Sequence, residues 1–392
     1  MHKGERLTGM NRREFLKVGL MGTTSALVGG NALAGAARYY ASSGPFDFPA
    51  PVYRTLGRTG LKITVVSFGA MLTPEAEVMK IAFDQGVNYV DTARRYMGGK
   101  NEEIVGKALK GRRDKVYVAT KTKPSSNSKE DIIKDVETSL KALETDYIDL
   151  IQLHSLTDRE RIFIPETREA LVHLKKQGKV RFFGVTTHKN QSEVLHALVD
   201  DRDRFFDTAL VAYNFKSDKE DTEAIARAAK ENIGILAMKT QAGGYAAEAL
   251  RPISPHQAAL KWALQNPNIT AAIPGMKDLA QLKEDIAVMG MPFQYADERI
   301  LQRYSAAVQP TYCHLCGKCE ETCPMGVEIS TINRSLMYAE GYKNRELALS
   351  TYREIPLSAS ASACLDCSGC VARCVNGLHL PAKMEQARRL FA

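Results

Sequence analysis

Between residues 63 and 289 the chain alternates short apolar runs with amphipathic stretches eight times, and few folds can absorb that pattern. The runs are ITVVSFGAM (63–71), VNYVDTA (87–93), KVYVATK (115–121), YIDLIQLH (147–154), VRFFGVTTH (180–188), DTALVAYN (207–214), IGILAMK (233–239) and ITAAIPG (269–275). Their nearly continuous apolar character is that of parallel strands covered on both faces. The stretches between them have helical rhythm. In residues 128–144, for example, Ile132, Ile133, Val136, Leu140 and Leu143 share one face, Ser128 can cap the start, and Glu and Lys fill the other face. The same reading predicts helices at 74–84, 101–110, 166–177, 191–199, 220–231, 254–265 and 278–289. Eight strand–helix units predict an α/β fold whose sheet closes as a (β/α)8 TIM barrel. An open doubly wound sheet is the competitor, but no GxGxxG follows the first strand, where its dinucleotide fingerprint would sit.

In such a barrel the reactive groups come from the carboxyl ends of the strands. The polar residues there are Asp91, Lys121, His154, Thr186, Thr187, Asn214 and Lys239, with Tyr96 in the loop after Asp91. Singly, each has a plain structural explanation as a solvated strand end or a packed ring. Together, a carboxylate, an ammonium, a phenol and an imidazole at one rim predict a proton-transfer site.

The 392 residues exceed one average domain, and 44% apolar with 25% charged residues is ordinary for a globular protein. No run reaches the 18 or more apolar residues of a spanning helix. Of the net charge of +8, the first 37 residues contribute +3, and no dense basic run follows, which argues against nucleic-acid binding. Those first residues hold Arg12-Arg13, a diluted apolar stretch from Val18 to Val28, and small residues around Ala32 to Ala36. The layout is that of an export signal and resembles a twin-arginine leader over residues 1–37, with a linker over 38–52. It implies an exported, periplasmic or extracytoplasmic protein that has met the twin-arginine machinery, held as a membrane anchor if the leader stays uncleaved. A basic amphipathic helix is the alternative.

The segments YRTLGRTGLKITVVSFG, YVDTARRYMGGKNEEIVGKALKGRRDKVYVATK, YIDLIQLH, FFGVTTH, AYN and IPGMKDLAQLKEDI, in that order, resemble the aldo-keto reductases over 53–290. The resemblance places the family's catalytic tetrad on Asp91, Tyr96, Lys121 and His154. Hydride delivery to a carbonyl carbon leaves charge on its oxygen, which needs a proton. Tyr96 would donate it, and Lys121, braced by Asp91, would bring a phenol of ordinary pKa ~10 toward neutral pH. His154 would hydrogen-bond the carbonyl oxygen.

The resemblance also implies NADP(H), or NAD(H), in the barrel mouth. Thr186 and Thr187 stand where Ser-Asn is usual, Leu210 where a Gln commonly lies under the nicotinamide, and Met238 where an aromatic stacks. With Asn214 and Lys239 these would hold the nicotinamide end. Gly275 and the following helix start suit a phosphate. Lys277 would meet a 2′-phosphate, and Gln281, Glu284 and Asp285 would contact the adenosine.

All eight cysteines lie after a linker helix at 291–310, in a region of 311–392. CHLCGKCEETCP carries the CxxCxxCxxxCP spacing of bacterial ferredoxins, and CLDCSGCVARC repeats it with Val375 in place of Pro. Disulfides compete, because exported chains often form them, but thiols two residues apart make strained bridges. Zinc competes too, but separated CxxC pairs would leave the third and fourth thiols of each run unexplained. By resemblance to two-cluster ferredoxins, one 4Fe-4S cluster would take Cys313, Cys316, Cys319 and Cys374, and the other Cys364, Cys367, Cys370 and Cys323. The long spacer, with TINRSLMYAEGY at helical rhythm, resembles the mostly helical ferredoxin-like modules of respiratory enzymes.

The combined expectation is an exported aldo-keto reductase-type oxidoreductase acting on a small carbonyl or alcohol, coupled to or stabilised by two clusters. A redox partner protein or membrane electron-transfer chain would receive or supply single electrons, since hydride carries two and no flavin-binding region is evident. The alternative is an electron-transfer subunit whose barrel serves only as a scaffold.

Overall fold

The computed structural model describes residues 48–123, 128–245 and 254–391. The leader expected at 1–37 and most of the linker after it lie outside the described residues.

The first apolar run divides. Its early part, β2 (Lys62–Thr64), pairs antiparallel with β1 (Tyr53–Thr55). Only Phe68–Gly69 enters the barrel, as β3. The division follows from burial: Leu56, Leu61 and Ile63 of the hairpin pack against Leu150, Leu210, Leu236 and Ala271 inside the barrel, so the hairpin plugs its amino end. A plug made of apolar side chains removes area from water at about 25 cal/mol per Å².

The remaining runs form β4 (Tyr89–Asp91), β5 (Tyr117–Thr122), β6 (Ile148–Leu156), β7 (Val180–Thr187), β8 (Thr208–Ala212), β9 (Gly234–Met238) and β10 (Ala271–Ala272). They pair in parallel in sequence order from β3 to β10. The barrel closes where Ser67 N donates to Ala272 O at 2.9 Å, Ala272 N to Val65 O at 2.8 Å and Gly69 N to Pro274 O at 3.0 Å. Every predicted helix is present, and their ends match local chemistry. The helix Lys129–Leu143 is capped by Ser128, whose hydroxyl accepts from Asp131 N at 3.2 Å. The main apolar core lies between strands and helices, where Val136, Ile151, Leu171 and Val185 are fully buried or nearly so.

From Phe48 onward the chain is one compact unit. The linker helix forms at Tyr295–Val308 and packs Leu301, Tyr304 and Val308 on Ala258 and Ala259 of the helix Pro255–Gln265. The cysteine region is helical, as predicted, with Ile329–Glu340 built from the TINRSLMYAEGY stretch. Two further helices, Arg345–Tyr352 and Leu380–Phe391, were not anticipated. Their apolar faces are short and are completed by the helix Ile329–Glu340, where Ala348 packs with Met337 and Tyr338 and Met384 with Ile332 and Leu336; Tyr352 and Phe391 stack with ring centroids 4.7 Å apart. Among the described residues no helix is long and apolar enough to cross a membrane.

The cysteine region covers the barrel's carboxyl rim. Lys189, after β7, forms an ion pair with Glu320, and Lys123, after β5, donates to Glu354 at 2.6 Å. Met71 and Tyr245 of the barrel pack on Met337, Tyr338 and Tyr342.

Candidate active site and cysteine centre

Strand order brings the four expected catalytic residues to one place. Asp91 ends β4, Lys121 lies near the end of β5 and His154 sits in β6, while Tyr96 opens a short turn, Tyr96–Gly99. That turn runs through Met97, Gly98 and Gly99 at φ of 52°, 63° and 96°, left-handed backbone that glycine adopts at little cost. It carries the phenol back over the barrel mouth.

Lys121, 1% exposed, donates to Asp91 and to Thr92 O at 2.6 Å. Gln152 Nε2 donates to the other Asp91 oxygen at 2.8 Å, so the carboxylate is held on both sides. The Lys121 ammonium lies 4.7 Å from the centroid of the Tyr96 ring, over its face. The Tyr96 and His154 rings meet edge-on with centroids 5.9 Å apart.

Burial pushes the Tyr96 phenol well up, Asp91 and Tyr338 add to this, and Arg334 opposes it. The expectation that Lys121 draws the phenol toward neutral pH is therefore not met in this state: the ammonium's charge is answered by Asp91, and Tyr96 is a protonated donor. Burial, followed by Lys121, Lys123, Arg334 and Arg95, pushes His154 well down, leaving a neutral imidazole. Among the described residues its Nδ1 is buried without a partner.

These groups open into a cavity of about 830 Å³, within the size range of small-molecule and cofactor sites. Met238, Lys239, Gly275, Lys277, Gln281, Glu284 and Asp285 line it, as expected for cofactor contacts, and Leu210 forms part of its floor. Gln281 accepts from Lys277 N at 3.0 Å and Asp285 from Gln241 at 3.0 Å, which arranges the helix start beside Gly275. Burial, then neighbouring Glu284, pushes the Asp285 carboxyl well up.

Three expected cofactor residues are placed otherwise. Thr186 and Thr187 are buried, and do not line the cavity: the Thr186 hydroxyl accepts from Ser155 N at 2.8 Å, and that of Thr187 donates to Lys189 O at 2.8 Å. Asn214 donates to Lys239 O at 3.0 Å and to the Tyr312 hydroxyl at 2.9 Å. The adenosine end of a dinucleotide thus finds a lined groove, whereas the side chains expected to take the nicotinamide amide are spent on internal bonds.

The rim also carries residues that strand-end reasoning missed. The helix Ile329–Glu340 sends Arg334 and Tyr338 into the cavity, one helical turn apart, and Tyr342 follows. Lys239 donates to the Tyr338 hydroxyl at 3.0 Å. Burial alone would raise the Tyr338 phenol, but Lys239 and Arg334 together outweigh it and hold it below its ordinary value. The i, i+4 spacing of Arg334 and Tyr338 was the available signal, but nothing local says which surface that face meets.

The eight cysteines are all free thiols, with no disulfide. After burial and the Leu315 amide, the neighbours that perturb Cys313 are Cys319, Cys316 and Cys374. After burial and Arg388, those of Cys364 are Cys323, Cys367 and Cys370. Cysteines of both sequence runs thus act on one another's thiols. Leu315 N donates to Cys313 Sγ at 3.4 Å, and Ile332, Leu336 and Leu378 give the thiols apolar cover. Among the described residues no three His, Cys, Asp or Glu side chains converge where one ion could sit. The CxxCxxCxxxC spacing of these thiols is the chemistry of an iron–sulfur cluster, which takes one cysteine per iron.

A closed parallel barrel with a buried lysine–aspartate pair beneath a phenol, and a thiol-rich module over its mouth, defines an oxidoreductase barrel joined to an iron–sulfur domain. The description "Aldo/keto reductase family" matches residues 72–251, and "4Fe-4S dicluster domain" matches residues 312–378. The barrel is thus similar to the aldo/keto reductase family, and the C-terminal region to 4Fe-4S dicluster domains. An uncharacterized oxidoreductase of Bacillus subtilis, YqkF, is 39% identical over 34% of this chain, and the match spans 48% of that protein's length. Aldo-keto reductase AKR11C1 from Bacillus halodurans, in its holo form, superposes with a TM-score of 0.56 at 26% identity, over 64% of this chain and 96% of its own. An aldo-keto reductase from Klebsiella pneumoniae in complex with NADPH gives 0.56 at 25%, over 64% and 95%.

Proposed function

We propose that the protein is an NADP(H)-dependent reductase of a small carbonyl compound, or the corresponding alcohol dehydrogenase in the reverse direction, and that its C-terminal region carries two 4Fe-4S clusters. The observation that carries this reading is the Lys121–Asp91 pair beneath Tyr96, with His154 across the same cavity.

A bound nicotinamide would supply or accept the hydride; everything else falls to side chains. Tyr96, a protonated phenol, donates to the oxygen on which charge develops. Lys121 stands over its ring and stabilises negative charge on it after transfer, and Asp91 with Gln152 keeps the ammonium from turning away. Neutral His154 aligns the oxygen by a hydrogen bond without competing for the proton. Lys277 and the backbone at Gly275 would receive phosphate. The solved relative that holds NADPH supports this choice of cofactor. Tyr96→Phe is expected to lower NADPH-dependent reduction of 4-nitrobenzaldehyde by at least about a hundredfold while leaving NADPH binding nearly unchanged. Unchanged turnover would remove Tyr96 from the reaction.

Cys313, Cys316, Cys319 and Cys374 would hold one cluster, and Cys364, Cys367, Cys370 and Cys323 the other, each able to pass one electron. Export by the twin-arginine route, to a periplasmic or extracytoplasmic place where a redox partner protein or membrane electron-transfer chain waits, is part of the proposal and rests on Arg12-Arg13 and the small residues after them. Arg12→Lys with Arg13→Lys should leave the protein in the cytoplasmic fraction.

The diversion of Asn214 to Tyr312 favours a second reading, an electron-transfer subunit whose barrel is a scaffold. Purified protein that shows cluster signals yet neither binds NADPH nor reduces an aldehyde would support it.

A further inference from the structure

Arg334 is the one cavity cation not exposed to solvent for which the described residues provide neither an ion pair nor a hydrogen bond, and its Nε is buried without a partner. Of the other charges there, Lys277 and Lys343 are exposed to solvent, and the rest are answered. Lys121 is paired with Asp91, Lys123 with Glu354, and Lys239 donates to Tyr338. The acids are answered too: Asp91 takes Lys121 and Gln152, Glu284 accepts from Ser254, and Asp285 accepts from Gln241 and is driven toward its neutral form by burial. His154 and His188 are neutral, each with an unpartnered buried Nδ1. Arg334 lies one helical turn before Tyr338, whose hydroxyl accepts from Lys239 after β9, so it faces the strand-end side of the cavity that also holds Tyr96 and His154.

A guanidinium carries five donors in a rigid fork that matches a carboxylate or phosphate, and leaving it enclosed without an anion is costly. We propose that Arg334, supplied by the cluster domain, binds the carboxylate of the substrate, so that the protein acts on carbonyl compounds carrying an acidic group a short distance from the reacting carbon. The inference rests on the reductase reading for its chemistry. It makes the dicluster domain a wall of the substrate site and gives that domain a role in specificity beside any role in electron transfer.

The matched probes are 4-carboxybenzaldehyde and its neutral methyl ester, methyl 4-formylbenzoate, offered with NADPH to the cluster-loaded protein and to Arg334→Gln. The kcat/KM ratio of acid to ester should be about 10 to 100 in the wild-type protein, fall to near one in Arg334→Gln, and recover in part in Arg334→Lys. A wild-type ratio near one, or a ratio untouched by Arg334→Gln, overturns the proposal. So does a loss of NADPH affinity in Arg334→Gln with the ratio unchanged, because the anion would then be the nucleotide's phosphate. If neither aldehyde is reduced, the reductase reading fails by itself; calorimetric binding of the same two compounds then reads the same ratio and decides the role of Arg334.

Discussion

The Asn214 amide donates to the hydroxyl of Tyr312 at 2.9 Å, joining the end of the sixth barrel strand to the residue before the first cysteine. Asn214 also donates to Lys239 O, and Lys239 in turn donates to Tyr338, so one chain of bonds runs from the thiol-bearing loop to the cavity wall. Neighbouring Lys189 and Glu320 form an ion pair across the same seam, and Glu320 further accepts from Ser330 N at 2.7 Å. The dicluster region is therefore built into the site rather than appended to it.

The crossed ligand assignment proposed for the two clusters implies selective lesions. Cys374→Ser should remove about half of the bound iron and alter the electron paramagnetic resonance signal of the set near Tyr312, while Cys323→Ser should remove a similar share and alter the other signal. If each variant instead disturbed the set encoded beside it in sequence, the crossed assignment would be wrong.

Breaking the buried pair at the barrel rim should be expensive. Lys121→Met leaves Asp91 charged and enclosed with only Gln152 as a side-chain donor, and should cost about 3 to 5 kcal/mol of unfolding free energy in urea. Adding Asp91→Asn should return part of it, since no uncompensated charge is then buried.

Acid should destabilise the protein through His188. Burial, then Lys239 and Arg334, holds this imidazole well below its ordinary pKa of 6.5. The unfolded chain takes a proton below that value while the folded chain does not, so stability is retained above pH ~6.5 and lost as pH falls, by up to about 1.4 kcal/mol per unit. His188→Gln should reduce the drop in urea midpoint between pH 7.5 and 5.5; an unchanged drop would place the acid sensitivity elsewhere.

What the amino-acid order alone determined was whatever depends on local periodicity and spacing. Nearly continuous apolar runs set eight strands to within a few residues, and strand ends place Asp91, Lys121 and His154 at one rim. Cysteine spacing likewise marked the iron–sulfur region. Tertiary structure decided what depends on which surfaces meet. The run at 63–71 split because its first part is worth more as a plug than as a strand, a choice made by Leu150 and Leu236 far along the chain. Asn214 turned from its expected partner because Tyr312, 98 residues on, reached it first. Arg334 and Tyr338 share a helical face in any reading of the sequence, but only docking on the barrel mouth points that face at Tyr96. Periodicity fixes the face of a helix; the partner of that face is chosen by long-range packing, which no local pattern encodes.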